Sequence, residues 1–333
     1  MAKEKSATVS LIEDSEAIIK SATEGDTEPE YLETGNIGFD LALTNGKGIP
    51  IGCSVLLWAE PACGKSTVLA DVSRRLLEYS ERAGVPFKVL YLDIEGSSKL
   101  IRDMGLGQYI DKKTLIHVNK LLSWRTIEAF YNEVMSGKNP AFKDVKLIII
   151  DSVNNIQSDA TTSKSVADGD FGSRAKERTN FYSKFFPKCK ELGITTFLIS
   201  QVRQNLDASP MVMDKKKAAV SWADKHNVDI ILKCSKVLSS PDTKKIETAT
   251  AFDKHVDVVG YVFRMDSSAN DCKNRFFLGS RAELYVNKGK NVDNAYALRK
   301  LLEFNNLINA SGGWFAFSKD ICQAFNLPDK KNA

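Results

Sequence analysis

Six short, largely apolar runs rich in β-branched residues punctuate the chain, at residues 54–59, 88–92, 115–118, 146–150, 195–199 and 228–232. Between them lie segments with helical spacing of apolar positions, at 66–84, 124–136 and 173–192, the last expected to kink at Pro187. Runs that are apolar on consecutive residues suit strands covered on both faces. Their alternation with helices predicts an α/β fold: a mostly parallel central sheet with helices on both faces. From about Val256 the pattern shortens into strands at 258–265, 275–277 and 282–286, a helix at 295–304 and an aromatic, hairpin-like end at 314–317. This reads as the C-terminal part of the core, 256–327, with a small α+β extension. The core proper is expected at 31–255. Before it, 1–30 is a short polar segment in which 9–19 suits one strand or helix. Leu11, Ile12, Ile18 and Ile19 give that segment an apolar face for docking, so it is expected to serve oligomerisation. Residues 328–333 read as a tail.

The first strand and first helix enclose Ala59-Glu60-Pro61-Ala62-Cys63-Gly64-Lys65-Ser66. A glycine-bearing loop between a strand and a helix, ending in Gly-Lys-Ser, is the pattern of a phosphate-binding loop. Main-chain N–H groups and the positive end of the helix dipole hold phosphate oxygens. Glu60, Pro61, Ala62, Cys63, Gly64, Lys65, Ser66 and Thr67 therefore form a candidate nucleotide cradle. In it, Lys65 reaches the terminal phosphates and Ser66 binds Mg²⁺. Ala59 occupies a position that is usually glycine, and is strained there if the turn needs a positive φ.

Three further strands end in polar groups. The run 146–150 leads into Asp151, the pattern of a carboxylate that steadies a nucleotide's Mg²⁺. Tyr91-Leu92-Asp93-Ile94-Glu95 ends in carboxylates. Glu95 there is either a base for an attacking water or a solvated strand end. Thr196-Phe197-Leu198-Ile199-Ser200-Gln201-Val202-Arg203 places an amide, Gln201, where it can sense a γ-phosphate.

Composition narrows the classes. Hydrophobic content of 43% and charged content of 26% are those of a globular protein with a sizeable core. A formal charge of +4 is too small to argue a nucleic-acid partner by itself. The six cysteines, with no Cys-x-x-Cys pair, and three histidines argue against a zinc site or a disulfide framework and suit a reducing cytoplasm. Cys63, inside the loop, is either oxidation-sensitive or simply a small residue. No apolar run reaches membrane-spanning length and no signal core precedes the polar start, so no membrane partner is expected.

Taken together, these strand ends resemble those of the RecA-type DNA strand-exchange recombinases, with phage members of the UvsX or RecA-like kind nearest. The resemblance runs from about Tyr31 to Phe317. It is carried by Leu32-Glu33-Thr34-Gly35-Asn36-Ile37-Gly38-Phe39-Asp40-Leu41-Ala42-Leu43, Gly48-Ile49-Pro50-Ile51-Gly52, Asp93-Ile94-Glu95, Ile150-Asp151-Ser152-Val153, Ser200-Gln201-Val202-Arg203, Lys273-Asn274-Arg275-Phe276 and Ala310-Ser311-Gly312-Gly313-Trp314-Phe315.

The resemblance implies a RecA-like ATPase core that uses ATP and Mg²⁺. Lys65 and Ser66 would bind phosphate and metal, Asp151 would support the metal and Glu95 would be the base. Gln201 would couple the γ-phosphate to DNA, and Lys273 and Arg275 would reach a neighbouring subunit's ATP. It also implies filaments on single-stranded DNA, pairing with double-stranded DNA, and single-strand-binding or loader proteins as partners, in a bacterial or phage-infected cytoplasm.

Two DNA-contacting loops would fall near 164–172 and 204–219. Arg174, Lys176, Arg178, Arg203, Lys215, Lys216 and Lys217 would meet phosphates, and Met211 and Met213 would wedge between bases. Without the resemblance, lysines in such a loop are read rather as solvated charge. Lys216 and Lys217 stand where bacterial members usually carry a glycine pair. No tyrosine follows Glu95 to stack on adenine. A ring-forming helicase or motor of the same fold, or an ATP-switched DNA-binding mediator without hydrolysis, are the alternatives.

Overall fold

The computed structural model describes residues 30–158, 171–204, 216–218, 222–249, 254–272, 281–288, 290–311 and 314–325. The expected oligomerisation segment, the strand at 275–277 and the tail lie outside the described residues. The elements are, in chain order, β1 (Tyr31–Leu32), α1 (Ile37–Thr44), β2 (Ile49–Pro50), β3 (Ser54–Ala59), α2 (Lys65–Ala83), β4 (Lys88–Asp93), α3 (Ser98–Asp103), α4 (Gly107–Asp111), β5 (Leu115–Asn119), α5 (Trp124–Ser136) and β6 (Val145–Asp151). After a single turn at Val153–Asn155 come α6 (Phe171–Glu191), β7 (Thr195–Gln204), β8 (Lys216–Ala218), α7 (Trp222–Asn227), β9 (Ile230–Val237), β10 (Lys244–Ala249), β11 (Lys254–Cys272), β12 (Ala282–Asn287) and β13 (Asn291–Asp293). The last elements are α8 (Asn294–Phe304), β14 (Ile308–Ser311), β15 (Trp314–Phe317) and α9 (Lys319–Ala324).

The main sheet runs β13-β12-β11-β9-β3-β7-β6-β4-β5, with β10 on β11 and β8 on β7. From β9 to β5 every pairing is parallel. From β9 to β13 the sheet continues antiparallel, so β11, β12 and β13 extend the central sheet itself, while β14 and β15 pair as a separate hairpin. The fold is thus mixed α/β with a large, mostly parallel sheet, consistent with a RecA-like core.

Both faces of the parallel part are buried, which is why its strands read as unbroken apolar runs. Val55, Leu57, Val89, Tyr91, Leu147, Ile149, Phe197 and Ile199 face one side, against Phe39 and Leu43 of α1 and Val68, Leu69 and Val72 of α2. Leu56, Leu90, Leu92, Ile148, Ile150 and Leu198 face the other, against Ile127 and Tyr131 of α5 and Phe181, Tyr182 and Phe185 of α6. Helix α6 runs through Pro187 to Glu191.

Helix α1 forms where clustered glycines suggest only turns. Asn36 caps it: its Oδ1 accepts from Phe39 N at 3.1 Å, while its Nδ2 donates to Asp71 of α2 at 3.1 Å. Gly38 lies inside this helix because a Cβ there would sit 2.1 Å from Leu284 Cδ2.

Gly52 shapes the entry to β3. It lies at φ +79, and a Cβ would come within 2.9 Å of both Cα and the carbonyl oxygen of Lys190. Main-chain atoms cannot rotate away. Gly52→Ala is therefore expected to lower stability by about 2–4 kcal/mol, from left-handed strain plus the clash. The check is a lower urea midpoint at unchanged m-value. A wild-type midpoint would show that the contact yields.

Candidate active site

Ligand clefts in open parallel sheets lie beyond the carboxyl ends of the strands. Here β3, β7, β6 and β4 are consecutive neighbours. Their ends bring together the loop after Ala59, Gln201, Asp151 and the Asp93–Glu95 turn, as the sequence pattern predicts.

Ala59 closes β3 as an extended residue, so its methyl meets no backbone strain. The left-handed positions of the loop are Ala62, at φ 55, and Gly64, at φ 115. A Cβ on Gly64 would lie 2.5 Å from the hydroxyl of Tyr261 on β11, so glycine is required there for space as well as φ. Glu60, Pro61 and Ala62 are exposed, and Gly64, Ser66 and Thr67 are half-buried. Lys65 is only 6% exposed. Its Nζ donates to the carbonyls of Ala59 at 3.2 Å and Glu60 at 2.9 Å, so the cation rests on its own loop. Cys63 is buried, and burial pushes its thiol up to about 11, with Lys65 pulling the other way. It is therefore a protonated thiol at neutral pH rather than a reactive thiolate.

Asp151 is fully buried and is the hub of the site. Its carbonyl accepts from Ile94 N at 2.6 Å and Glu95 N at 3.1 Å. Its Oδ2 accepts from the Tyr91 hydroxyl at 3.0 Å. The peptide bond from Asp151 to Ser152 is cis. The Ser66 hydroxyl lies near enough to favour the charged carboxylate. Even so, among the described residues Oδ1 closes no hydrogen bond of good geometry. Burial, followed by the charges of Glu95 and Asp93, pushes the carboxyl up to about 6 against the help of Ser66 and Tyr91.

Glu95 is exposed, and its Oε1 accepts from Ser152 Oγ at 2.5 Å, Gln201 Nε2 at 2.5 Å and Asn155 Nδ2 at 3.4 Å. Gln201 N in turn donates to Asn154 Oδ1 at 2.9 Å. Gln201 lies within β7 rather than at its end, because β8 pairs with the strand beyond it, Arg203 opposite Lys217 and Gln204 opposite Lys216. Sequence reasoning missed Tyr91, Ser152, Asn154 and Asn155. Tyr91 carries a signal, being a polar tip inside the apolar run 88–92, two residues before Asp93.

The residues present suit a Mg²⁺–nucleotide. Among the described residues no group of three or more His, Cys, Asp or Glu could hold a metal alone. Mg²⁺ beside phosphates, however, takes only one or two protein oxygens. The unsatisfied Oδ1 of Asp151, with the Ser66 hydroxyl facing the carboxylate, meets that need.

The expected DNA contacts separate. Arg174 lies on α6 and Lys176 is exposed on it. Arg203 lies on β7, and Lys216 and Lys217 lie on β8. Arg178 requires a correction: it is 8% exposed and faces inward. Its Nη2 is 2.5 Å from Asp224 Oδ1, and its Nε donates to the Tyr182 hydroxyl at 2.9 Å. It ties α6 to α7, and a desolvated, paired guanidinium does not meet a DNA strand. Met211, Met213, Lys215, Lys273 and Arg275 lie outside the described residues.

Because the Asp151 carboxyl rises from 3.8 to about 6 on folding, the folded chain holds that proton more tightly than the unfolded one. Its ionisation therefore removes stability as pH rises between those values, and the loss is complete above the folded value. Without nucleotide, Asp151→Asn is expected to stabilise by about 1–3 kcal/mol at pH 7.5 and by roughly half as much at pH 5. Thermal melts at both pH values test this. Equal stability at pH 7.5 would mean that the carboxylate is better solvated than its burial indicates.

No family model matches the chain. It is 30% identical over 196 residues, 57% of its length, to the DNA repair protein RadA of Halalkalibacterium halodurans, covering 37% of that protein. It is 25% identical over 251 residues to the DNA repair protein RadA of Campylobacter jejuni, covering 73% of the chain and 48% of the relative. It is 23% identical over 301 residues to Protein RecA of Ectopseudomonas oleovorans, covering 90% of the chain and 77% of the relative. The chain thus spans about two fifths to half the length of these RadA proteins, and more than three quarters of that RecA. The chain that assembles this carboxylate-lined sheet edge is similar, along most of its length, to proteins named RadA and RecA.

Proposed function

We propose that this protein is an ATP-dependent DNA recombination and repair protein of RecA type. In this reading it forms helical filaments on single-stranded DNA, pairs that strand with a homologous duplex, and hydrolyses ATP between subunits. The observation that carries it is the direct hydrogen bond from Gln201 Nε2 to Glu95 Oε1, beside Lys65, Ser66 and Asp151, in a chain similar to RadA and RecA. A candidate base and a candidate phosphate sensor share one contact, which lets nucleotide state and strand β7 influence each other.

The loop Glu60–Thr67 would hold the phosphates through its main chain. Lys65 would leave the carbonyls of Ala59 and Glu60 for phosphate oxygens. Ser66 and Asp151 would hold Mg²⁺, which when bound neutralises charge on the transferring phosphoryl group. Glu95 would orient the attacking water and accept its proton. Lys273 and Arg275 would complete a neighbour's site, so that hydrolysis requires assembly. Beyond Gln201, Arg203 and the β8 lysines Lys216 and Lys217 would meet DNA phosphates, as would Arg174, Lys176 and Lys215, with Met211 and Met213 meeting the bases. Kinship with phage members, and loader or single-strand-binding partners, belong to the same reading.

The test is ATP hydrolysis with and without single-stranded DNA. Wild type should be stimulated by DNA, and Glu95→Gln should lower kcat by about 10²–10⁴-fold while retaining ATP binding. Absence of hydrolysis in the wild type would favour an ATP-switched binder. Closed rings rather than filaments in electron micrographs with a non-hydrolysable ATP analogue would favour a motor.

A second measurement addresses DNA contact. Replacing Lys216 and Lys217 together with alanine should weaken single-strand binding and reduce the slope of log K against log salt by about 0.7 per lost phosphate contact. An unchanged slope would place both lysines in solvent.

A further inference from the structure

A buried carboxylate stands directly behind Glu95. Asp93 is 0% exposed, and its Oδ1 accepts from Gly96 N and Ser97 N, both at 2.8 Å. Its Oδ2 lies 3.0 Å from His117 Nε2, a hydrogen bond in which the ring donates in the tautomer that carries its proton on Nε2.

The contacts above and below Glu95 form a clamp. Ile94 N and Glu95 N are held by the carbonyl of Asp151, and Gly96 N and Ser97 N by the carboxylate of Asp93. Four consecutive amides are thus fixed, with Gly96 at φ +82 to make the turn. The outer wall is β5, the last strand of the sheet. His117 lies on it opposite Tyr91, and Asn119 opposite Asp93. Asn119 Nδ2 donates to Ser98 Oγ at the start of α3. The His117 ring meets the Tyr91 ring edge-on with centroids 6.0 Å apart, and Tyr91 holds Asp151. His117 thus touches both supports of the site, the Asp93 carboxylate and the Tyr91 ring, without touching Glu95 itself.

We infer that Asp93 and His117 are positioning residues for Glu95, with the edge strand β5 fixing the turn that aims the base. This rests on the reading of Glu95 as the base. Removing the imidazole leaves Asp93 Oδ2 buried without its donor and frees the carboxylate to rotate off the two amides. Binding of ATP is untouched, because the phosphate loop lies on β3 and not on this turn. A glutamine at 117 can bring its amide nitrogen to the place of Nε2 and keep the bond.

The experiment compares wild type, Glu95→Gln, His117→Ala and His117→Gln in the full chain, by DNA-stimulated ATP hydrolysis and by hydrogen exchange. His117→Ala should lower kcat by about tenfold to a hundredfold with KM for ATP within about twofold, since displacing a catalytic group slightly costs rate and not binding. The amides of Gly96 and Ser97 should exchange faster in that variant. His117→Gln should restore both rate and protection. An unchanged kcat in His117→Ala, a loss that glutamine does not rescue, or protected Gly96 and Ser97 amides in the alanine variant would each overturn the inference. If wild type does not hydrolyse ATP, the reading of Glu95 fails, and exchange at Gly96 and Ser97 alone then decides whether His117 holds the turn.

Discussion

Two-sided burial of the parallel strands governs everything else in this molecule. A strand covered on both faces has no place along its length for a charge, so polar side chains are driven to its ends. Strands β3, β7, β6 and β4 are consecutive and parallel, so their carboxyl ends form one edge. The residues gathered there come from four distant parts of the chain, Ala59 through Lys65, Asp93 through Glu95, Asp151 and Gln201. The local turns then decide which of them can act. Asp151 points into the protein, whereas Glu95 is turned outward by the left-handed Gly96.

The edge that results gathers like charge. Asp93 and Asp151 face each other in register and are both fully buried, with Glu95 alongside. Hydroxyls, amides and one imidazole hold them, from Ser66, Tyr91, Ser152, Gln201 and His117, while Lys65 rests on main-chain carbonyls. Burial, followed by the like charges of Glu95 and Asp93, raises the carboxyl of Asp151 and favours any ligand that brings positive charge. A divalent ion carried by a nucleotide matches that demand, and the phosphates match the loop and Lys65. The raised carboxyl and the ligand preference therefore have one physical source, the burial of Asp151.

Much of this was legible in the chain. Unbroken apolar runs mark the parallel strands, and Gly64-Lys65-Ser66, Glu95 and Asp151 can be placed at strand ends because each follows such a run, whereas the pairing with β8 that carries β7 past Gln201 leaves no mark on the pattern. What failed did so for physical reasons. Gly38 was read with its neighbours as a turn signal, yet it serves close packing against Leu284 inside α1. Arg178 was read as an exposed cation beside a loop. Its partner Asp224 lies far along the chain, on a different helix, and a pattern of charge does not distinguish a solvated arginine from one buried against a distant carboxylate. The shortened pattern after Val256 reads as the C-terminal part of the core; what it does not reveal is that β11 pairs with β9 and brings Tyr261 under Gly64. Tyr91 and His117 were hidden because polar atoms at the tips of aromatic rings scarcely disturb an apolar pattern.

The position of Gln201 inside β7 changes how the site can communicate. A residue at a free strand end can swing without moving its neighbours. Gln201 instead has its amide N–H held by Asn154 and its side chain on Glu95, while the next three residues pair with β8. Any shift of the Gln201 backbone is passed to the segment that carries Arg203, Lys216 and Lys217, because main-chain pairing transmits displacement where a lone side chain would absorb it. The same rigidity acts in reverse: holding β8 fixed restrains the amide that touches Glu95. Strand pairing therefore links the β8 segment to the Gln201–Glu95 bond at the sheet edge.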